Sequence, residues 1–474
     1  MAKSLEVDIC VVGGGTGGLV VAAAAAMLGR AVAIIERHKM GGDCLNFGCV
    51  PSKSLIAAAR MAALARRAPR FGVSLGGPEV DFARVHDHVH GVIAAIAPHD
   101  SQERFEGLGC TVIRAPGRFV AADALEAGEF RVRARRFVVA TGSSPAVPPI
   151  PGLGDTPYLT NETIFNLKTR PEHLIVVGGG PIGLELAQAQ RRLGAKVSVV
   201  EMLTLLSNDD PEAADVVRQS VRRDGVELYE GAKLLRVERE GVGVAAVIAA
   251  SAGEQRLAGS HLLVATGRKA NVEGLGLEAA GIAYTPKGIT VDRRLRSSNR
   301  RIYAVGDVAG RYQFTHVAAY HAGIVVRNAL FRLPAKVDER ALPWVTYTDP
   351  ELAHVGLNED KAREAVGEIR ILRWAFAEND RARAERETDG FIKAITTKRG
   401  RVVGATIVGA HAGELILPWG LAIARRLKVG ALANLIAPYP TLSEVSKSAA
   451  GSFYAPALFS PRTKALVRFL ARLG

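Results

Sequence analysis

The sequence predicts an α/β chain with two nucleotide-binding units of the same design, followed by a separate α+β domain. Two apolar strands each lead into a glycine turn of the form Gly-x-Gly-x-x-Gly, and every landmark of the first unit recurs 165 residues later. Beyond Leu342 the pattern changes to strands mixed with helices, and this nucleotide turn does not recur. With 474 residues the chain is long enough for about three domains.

The first unit begins with an apolar run over residues 7–12 and continues through a glycine turn into an Ala-rich helix that ends near Leu28. A second strand over 32–35 ends at Glu36. The glycines of the turn are Gly13, Gly15 and Gly18. They permit a tight turn, close approach to a pyrophosphate and packing of the helix on its strand, and the acid accepts a hydrogen bond from a ribose hydroxyl.

The second unit repeats this order with strands over 174–177 and 197–200, and the latter ends at Glu201. Its glycines are Gly178, Gly180 and Gly183. Pro181 suits the first turn of the helix, whose free N–H groups attract phosphate. Each acid follows the first glycine of its turn by 23 residues. Two complete patterns favour Rossmann-type dinucleotide-binding domains over glycine turns that bind nothing.

The composition narrows the class of protein. A net charge of +14 is compatible with an anionic ligand, nucleic acid or a membrane surface, but no long basic block dominates. We therefore interpret the charge as a compositional bias and expect no nucleic-acid partner. Four cysteines are too few for a secreted disulfide scaffold.

Residues 9–29 carry no charge, yet the glycines in their middle favour strand, turn and helix over a membrane span. Because Glu6 and Asp8 precede this run, we expect no signal peptide and a cytoplasmic protein.

Two segments at the ends of the units have similar sequences. Residues 137–142 and 262–267 each predict a strand followed by Thr-Gly. A proline-rich linker follows Gly142, and a third strand leads into Gly306-Asp307. We divide the chain into a first part of one nucleotide domain at 1–150, a second nucleotide domain at 151–270, the remainder of the first domain at 271–340 and a C-terminal domain at 341–474.

The segment from Gly41 to Lys53 carries the candidate redox chemistry, with Cys44 and Cys49 five residues apart. In a regular helix the Cα atoms of residues five apart are about 8.6 Å apart. A disulfide needs the Cα atoms of its two cysteines within about 7 Å. The two cysteines therefore cannot both lie in an undistorted helix if they pair. Lys53 lies one helical turn beyond Cys49, where an ammonium group favours the thiolate. We expect Cys10 and Cys110 to be inert core residues.

These motifs resemble those of the pyridine nucleotide-disulfide oxidoreductase family, and the resemblance extends from Asp8 to about Gly451. It implies FAD on the first glycine unit, a nicotinamide dinucleotide on the second, and a homodimer formed by the C-terminal domain. By this resemblance Glu36 holds the FAD ribose and Asp307 the ribitol region. The further cofactor-binding candidates are Gly42, Gly117, Thr141, Gly142, Gly267 and Arg268.

The same resemblance assigns roles to the catalytic candidates. Cys49 is the thiol next to the flavin, and Cys44 is the thiol that faces the substrate, so that the two form a redox-active disulfide. Lys53 lies near flavin N5, paired with Glu185 from the second glycine helix. Glu201 repels a 2′-phosphate and residues 202–215 contain no Arg or Lys, so we expect NADH rather than NADPH.

The sequence departs from the family pattern His-Pro-Thr-x-x-Glu, which here begins with Tyr439 and ends with Glu444. With a reference pKa of about 10, tyrosine is a poor base at neutral pH, and loss of a general base costs on the order of 10²–10⁴ in rate. Tyrosine at this position is similar to mercuric reductases, but no Cys follows Cys110 where those enzymes have a C-terminal pair. The other interpretation of Tyr439 is a change of packing alone.

We therefore expect an FAD enzyme that oxidises NADH and reduces an acceptor that needs little proton transfer, such as a soft metal ion or a quinone. The alternative is a dihydrolipoamide dehydrogenase that tolerates Tyr439. An alternative of another class is a basic flavoprotein that docks on membrane or nucleic acid with vestigial turnover. We expect no resident metal, because His316 and His321 are five apart with no carboxylate suitably spaced.

The last residues predict an amphipathic helix that starts at Ser460-Pro461. An apolar stripe is formed by Leu466, Phe469, Leu470 and Leu473, and a basic stripe by Lys464, Arg468 and Arg472. One surface that could cover the apolar stripe is the protein's own dimer domain. The other is an anionic membrane, which would make the protein a peripheral membrane protein.

Overall fold

A computed structural model describes residues 3–251, 253–310 and 312–473. Met1 and Gly474, at the ends of the two outer predicted domains, lie outside the described residues. Contacts divide the chain into two compact units. The first comprises the described residues up to Gly179 together with 189–202 and 231–337, and the second comprises 180–188, 203–230 and the described residues from Asp338 onward.

The first unit is centred on a seven-stranded sheet. Its parallel strands, in spatial order, are Cys110–Ile113, Val32–Ile35, Lys3–Val12, Phe130–Val139 and Ile302–Ala304. The antiparallel strands Gly117–Ala121 and Ala124–Ala127 pair with each other, and the latter also pairs with Phe130–Val139. The helices of this part are Thr16–Met27, Gly42–Asn46, Cys49–Arg67, Phe82–Ile96, Gln102–Gly107 and Thr315–Ala329. The strand Val32–Ile35, the last four residues of Lys3–Val12 and the last three of Phe130–Val139 are apolar and buried, which agrees with a parallel sheet covered on both faces.

The second glycine turn follows the strand His173–Val177, which pairs in parallel with Lys196–Glu201 and with His261–Val264. The helix Pro181–Arg192 continues directly from the turn. An antiparallel meander is formed by Lys233–Glu240, Gly243–Ala250 and Gly253–Gly259. Two small ladders join Ser143–Pro145 with Arg268–Ala270 and Tyr284–Thr285 with Gly288–Ile289. Part of the predicted proline-rich linker is therefore a strand.

The second unit contains a five-stranded antiparallel sheet. In spatial order its strands are Pro343–Thr346, Glu351–Gly356, Val402–Gly409, Phe391–Thr397 and Ile369–Ala375. Its other elements are the strand Glu227–Glu230 and the helices Pro211–Arg223, Glu359–Val366, Asp380–Glu385, Ala412–Leu415, Leu417–Ala424, Gly430–Ala433, Glu444–Ser452, Ala455–Leu458 and Pro461–Leu470. The buried rings of Trp419 and Phe376 lie in its core. Single 3₁₀ turns occur at Ala68–Phe71, Ala97–Asp100, Ile164–Asn166, Gly306–Ala309 and Phe376–Glu378.

The predicted fold class is confirmed, because glycine-turn units with parallel sheets precede an α+β C-terminal region. The first strand begins four residues earlier than the apolar run at 7–12, since its amino-terminal end is partly exposed and alternates in burial. Among the described residues, none of the helices is both long enough and apolar enough to span a membrane. The uncharged run at 9–29 is a strand, a turn and a helix, as predicted.

Candidate active site

The first glycine turn is held by backbone contacts that exclude side chains. Gly13 has φ +116°, and a Cβ atom there would stand 2.3 Å from the carbonyl oxygen of Ala140. Gly42, with φ +61°, packs so closely on Gly15 that a Cβ would lie 2.7 Å from the Gly15 Cα atom. The N–H of Gly14 donates to Glu36 Oε2 at 2.6 Å. The turn and its acid are thus preorganised together.

This arrangement fits a dinucleotide. The helix Thr16–Met27 begins without a side-chain cap and without an acid in its first turn, so its N-terminal dipole favours an anion there. A strand that starts at Gly117 passes Ile35, since a Cβ on Gly117 would lie 3.0 Å from the Ile35 side chain. Gly117 is therefore close to the end of the strand that leads to Glu36.

The ends of the long central strands contribute further candidates. Asp307 lies in the turn after the strand Ile302–Ala304 and accepts a 2.5 Å hydrogen bond from Ser143 Oγ, while burial raises the pKa of its carboxyl. Thr141 donates to the carbonyl of Asn271 at 2.8 Å, and Gly142 has φ +68°. These groups lie where ligands of open α/β sheets bind, beyond the carboxyl ends of the strands.

The second turn repeats the first at its opening. Gly178 has φ +112°, a Cβ there would stand 2.4 Å from the carbonyl oxygen of Ala265, and the N–H of Gly179 donates to Glu201 Oε2 at 2.7 Å. At Gly180 a Cβ would meet no atom of the described residues within 4 Å. Gly183 lies in the helix Pro181–Arg192, and Gly267, with φ +117°, precedes the strand Arg268–Ala270.

The two candidate redox thiols lie on consecutive helices. Cys44 is in Gly42–Asn46 and Cys49 opens Cys49–Arg67, while Gly48 breaks the helical path between them at φ −121°, ψ −111°. Both thiols are free, and each acts on the pKa of the other. The distortion needed to bring the two cysteines together lies between the helices.

The thiols differ in acidity. The neighbouring Cys44 thiol has the largest of the effects that lower the pKa of Cys49, which reaches about 6, and the hydroxyl of Thr315 and the charge of Lys53 act in the same direction. The pKa of Cys44 is raised by its interaction with Cys49, by burial and by the neighbouring thiolate. Thr315 Oγ1 lies 3.4 Å from Cys49 Sγ. The pair therefore holds one proton on Cys44 and a negative charge on Cys49.

The segment 42–49, here called the thiol loop, contains Asp43 and is contacted by two further polar residues. Asp43 Oδ1 accepts a hydrogen bond from Asn161 Nδ2 at 3.2 Å and lies 3.1 Å from Arg268 Nη2. Asn161 also donates to the carbonyl of Phe47 at 3.1 Å. Arg268 donates through Nε to Ser143 Oγ at 2.7 Å, and its side chain is only 10% exposed. Arg268 therefore connects the thiol loop with the residues beside Asp307.

The remaining catalytic candidates lie in the second unit. Tyr439 is 71% exposed, and its hydroxyl donates to Asp380 Oδ2 at 3.0 Å. This bond, and the charge of the same carboxylate, raise the pKa of Tyr439. Glu444 begins the helix Glu444–Ser452. Glu185 is buried and accepts from the N–H of Tyr347 at 2.9 Å, and its predicted pairing with Lys53 stays a prediction.

The two other cysteines and the two histidines of the helix Thr315–Ala329 lie away from the thiol pair in sequence. Cys10 and Cys110 are buried, and burial raises the pKa of each thiol. His321 is buried, its Nδ1 accepts from the N–H of Gly306, and burial lowers the pKa of the ring to about 4. His316 lies on the same helix, Thr315–Ala329. In the described part of the chain no group of three metal-ligating side chains could hold a metal ion.

Residues with direct contacts at these sites that were not among the candidates from sequence include Asp43, Asn161, Thr315 and Asp380. Asp43 stands inside the cysteine motif, and its carboxylate next to Cys44 was the available signal. Thr315 is 266 positions from Cys49 and Asp380 is 59 positions from Tyr439. No local pattern connects residues so far apart, so their contacts emerge only from the fold.

The C-terminal helix Pro461–Leu470 forms with Ser460 as its cap, since Ser460 Oγ accepts from the N–H of Thr463. In the single chain its apolar stripe is uncovered, with Leu466 55%, Phe469 57%, Leu470 51% and Leu473 69% exposed. The chain's own C-terminal domain therefore does not cover the stripe within one protomer.

Two dinucleotide-type turns and a pair of thiols of unequal acidity define a redox enzyme that connects a nucleotide site to a dithiol. The chain belongs to the pyridine nucleotide-disulphide oxidoreductase family, whose model matches residues 7–322. The dimerisation domain of the same family matches residues 342–450. The protein is accordingly an FAD-dependent oxidoreductase that uses a nicotinamide dinucleotide and forms homodimers.

Similar proteins extend along nearly the whole chain. A mercuric reductase of Streptomyces lividans is 36% identical over 455 residues, which are 94% of this chain and 96% of the relative. A dihydrolipoyl dehydrogenase of Geobacillus stearothermophilus is 33% identical over 458 residues, again 94% and 96%. The Cu(II) complex of the HOCl-induced flavoprotein disulfide reductase RclA from Escherichia coli has a TM-score of 0.84 at 28% identity and covers 93% of this chain and 98% of that one.

Proposed function

We propose that this enzyme oxidises NADH and delivers two electrons through the Cys44–Cys49 pair to a soft metal ion. The unequal acidity of the two thiols supports the proposal, because the pKa of Cys44 is raised and the pKa of Cys49 is lowered to about 6. Addition of a hydride to a disulfide breaks the S–S bond and gives one thiol and one thiolate, and this is the protonation state that the two environments favour. Return to the disulfide releases two electrons and the remaining proton to the acceptor and solvent.

FAD supplies, when bound, a two-electron relay between the nicotinamide and the disulfide. Glu36, Gly13 and Gly15 would hold its adenosine and pyrophosphate end, and Asp307 its ribitol region. Thr315 and Lys53 both stabilise the negative charge on Cys49, which keeps this thiol ionised at neutral pH. Cys44, less exposed than Cys49, keeps the proton.

The nicotinamide substrate is NADH in this proposal. Glu201 is fixed by the N–H of Gly179, and its carboxylate disfavours a 2′-phosphate at the same place. The residues that follow, 202–215, include no Arg or Lys to receive such a phosphate. A preference for NADPH of tenfold or more in initial rates would contradict this assignment.

The surroundings of Tyr439 indicate which class of acceptor the enzyme reduces. A phenol that donates to Asp380, with its pKa raised by that carboxylate, is a poor base for a thiol substrate. A soft metal ion needs no proton from position 439, and thiolates suit such ions. The Cu(II) complex of one similar structure and the mercuric reductase relatives agree with this chemistry. Reduction of a quinone to a hydroquinone would take up two protons, one released by Cys44 and one from solvent, and so would need none from position 439.

The decisive experiment measures NADH consumption with Hg(II), Cu(II), a quinone, lipoamide and glutathione disulfide, for wild type and Cys44→Ser. We expect wild type to be fastest with a metal ion and Cys44→Ser to lose at least about a hundredfold of that rate. Cys110→Ser is the matched control, since Cys110 is a buried thiol away from the pair. Equal metal-ion rates in wild type and Cys44→Ser would contradict the proposal.

A second candidate function is dihydrolipoamide dehydrogenase, favoured by the similarity to the Geobacillus enzyme. It predicts lipoamide as the best acceptor despite Tyr439. Tyr439→His tests which view is correct, because a base at this position raises lipoamide turnover if its absence is the limit. Asp380→Ala serves as a control that removes the partner of Tyr439 and introduces no base.

We also propose that the C-terminal helix contacts an anionic membrane surface. Its apolar stripe is exposed, and no acidic residue occurs after Glu444, while Arg462, Lys464, Arg468 and Arg472 are all basic. Pairing with a second copy of this helix would bring like charges together, whereas anionic lipid contributes about 1 kcal/mol for each basic residue near the surface. This contact suits a protein that is otherwise cytoplasmic.

Sedimentation with vesicles tests the membrane contact. Wild type should sediment with vesicles rich in phosphatidylserine at low salt and remain in solution with neutral vesicles. The double variant Lys464→Glu, Arg468→Glu should lose binding while its NADH oxidation is unchanged, and removal of residues 460–474 should do the same. Equal sedimentation of wild type and both variants, or loss of the dimer on truncation, would contradict the proposal.

A further inference from the structure

Asp43 places a negative charge directly at the thiol pair. It precedes Cys44 in the short helix Gly42–Asn46, and its backbone carbonyl accepts from the N–H of Phe47. Its Oδ2 atom lies 2.8 Å from the position that a Cβ on Gly48 would occupy. The carboxylate therefore lies over the break between the two helices, immediately before Cys49.

The surrounding residues hold this carboxylate in place without cancelling its charge. Asn161 Nδ2 donates to Oδ1 at 3.2 Å, and Arg268 Nη2 lies 3.1 Å from the same oxygen. Arg268 is shared, however, because its Nε is also 4.0 Å from Asp307 Oδ2 and donates to Ser143. One guanidinium group thus faces two carboxylates and does not neutralise Asp43 alone, and the Asp43 charge still acts on both thiols.

We infer that Asp43 is a positioning residue that makes the reduced Cys44–Cys49 pair a stronger reductant. Reduction of the disulfide by a hydride forms one S–H group on Cys44 and one thiolate on Cys49, so it adds a negative charge to the loop. A fixed negative charge at Asp43 opposes that addition and favours the oxidised pair. The electrons of the dithiol are therefore released to an acceptor more readily.

The acidities of the thiols agree with this geometry. The charge of Asp43 raises the pKa of both Cys44 and Cys49, and at Cys49 it acts against Cys44, Thr315 and Lys53, which lower the pKa. These are the titratable and polar groups that act on Cys49 from the surrounding elements. Removal of the Asp43 charge should therefore lower the pKa of Cys49 further.

The experiment equilibrates the FAD-loaded enzyme in dithiothreitol buffers of known oxidation state and counts alkylated Cys44 and Cys49 by mass spectrometry. Asp43→Asn should raise the equilibrium constant for reduction of the pair about tenfold, or about 30 mV in potential. The thiolate of Cys49, followed by its alkylation rate against pH, should persist to a lower pH. Asp43→Glu, which keeps the charge, should restore the wild-type potential.

Asn161→Ala is the matched control, because it removes a hydrogen bond to the same carboxylate and keeps the charge. We expect it to change the equilibrium constant less than twofold. If Asp43→Asn does not fold, Asp43→Ser removes the charge with a smaller side chain. An unchanged potential without the charge, or equal shifts in Asp43→Asn and Asn161→Ala, would overturn the inference.

The inference rests on the proposed function, and the two fail in different ways. If NADH exposes no new thiols at Cys44 and Cys49 in wild type, the proposed route through the pair is wrong whatever Asp43 does. If NADH exposes both thiols and the potential is independent of the charge at position 43, only the role of Asp43 is wrong.

Discussion

The two glycine turns open with nearly the same backbone and differ in what packs against their second glycine. Gly13 and Gly178 both have positive φ and both face a carbonyl oxygen that leaves no room for a Cβ, and each acid accepts from an N–H of its turn. Gly15 is covered by Gly42 of the thiol loop, whereas the place of a Cβ at Gly180 is open to 4 Å among the described residues. The same local sequence thus makes one turn whose second glycine packs on Gly42 and one turn whose second glycine has no such neighbour within 4 Å among the described residues.

The largest expected effect comes from adding a single methyl group beside each of the two glycine turns. Gly42→Ala puts a Cβ 2.7 Å from Gly15 Cα at a positive φ, so it should cost roughly 3 kcal/mol or more and release FAD. Gly180→Ala, the matched variant, should fold, retain FAD and raise the KM for NADH. Thermal unfolding and the flavin content after gel filtration measure both. A Gly42→Ala protein with full flavin content and an unchanged Tm would remove the distinction.

The ionisation of Cys49, in the thiol loop beside the first turn, should depend on pH. The pKa of Cys49 is lowered from 9.0 to about 6, so the thiolate is present above that pH and is lost as the pH falls through it. The long-wavelength absorption of a thiolate beside flavin, measured in the two-electron-reduced enzyme, should therefore fall about tenfold per pH unit well below pH 6.

Thr315→Val provides the control for this titration. The hydroxyl of Thr315 lowers the pKa of Cys49, so its removal should move the midpoint to higher pH without changing the thiol count. A band that persists unchanged to pH 4, or that is already lost at pH 8, would contradict the assigned acidity.

The two acids should differ in which nucleotide they affect. Glu201→Ser removes a negative charge from the second turn, so kcat/KM should fall about tenfold for NADH and rise for NADPH. Glu36→Ser makes the equivalent change in the first turn and should weaken FAD retention while the KM for NADH of the flavin-loaded fraction stays the same. Identical kinetic effects of the two variants would show that the turns are not specialised in this way.

The smallest expected effect concerns the starts of the two helices. The second helix begins with Pro181, which is preorganised for the first turn, whereas the first begins with Thr16. Pro181→Ala should therefore lower stability by less than about 1 kcal/mol and change the KM for NADH less than twofold. A calorimetric scan and initial rates are sufficient, and a larger loss would mean that Pro181 also orients the nucleotide.

The recurrence after 165 residues was sufficient to predict both turns, because a glycine pattern between a strand and a helix is a local property. The strand that contains Val12 and the helix that follows it occur as predicted, although the strand begins earlier at Lys3. Helix geometry predicted a break between Cys44 and Cys49 only on the condition that the two cysteines pair, and the structure has the break with both thiols free. The assigned roles of these residues remain predictions.

Other contacts could not be predicted from local patterns. Thr315 and Cys49 come together because two distant segments end at the same edge of the parallel sheet, and Arg268 reaches Asp43 because its short strand pairs with Ser143–Pro145. The sequence pattern likewise describes Tyr439 as a replaced base but does not reveal Asp380 as its partner. Such pairings depend on the register and topology of complete sheets.

The contact between Cys49 and Thr315 also has a consequence for the order in which the protein is made. The two residues are 266 positions apart. At about 5–20 residues per second, synthesis of that interval takes roughly 13 to 53 seconds. During this time the nascent chain carries its cysteine pair without the hydroxyl that helps to acidify Cys49. In the proposed mechanism, a disulfide formed early on the ribosome would nevertheless be harmless, because it is the oxidised form that the finished enzyme would reduce with NADH.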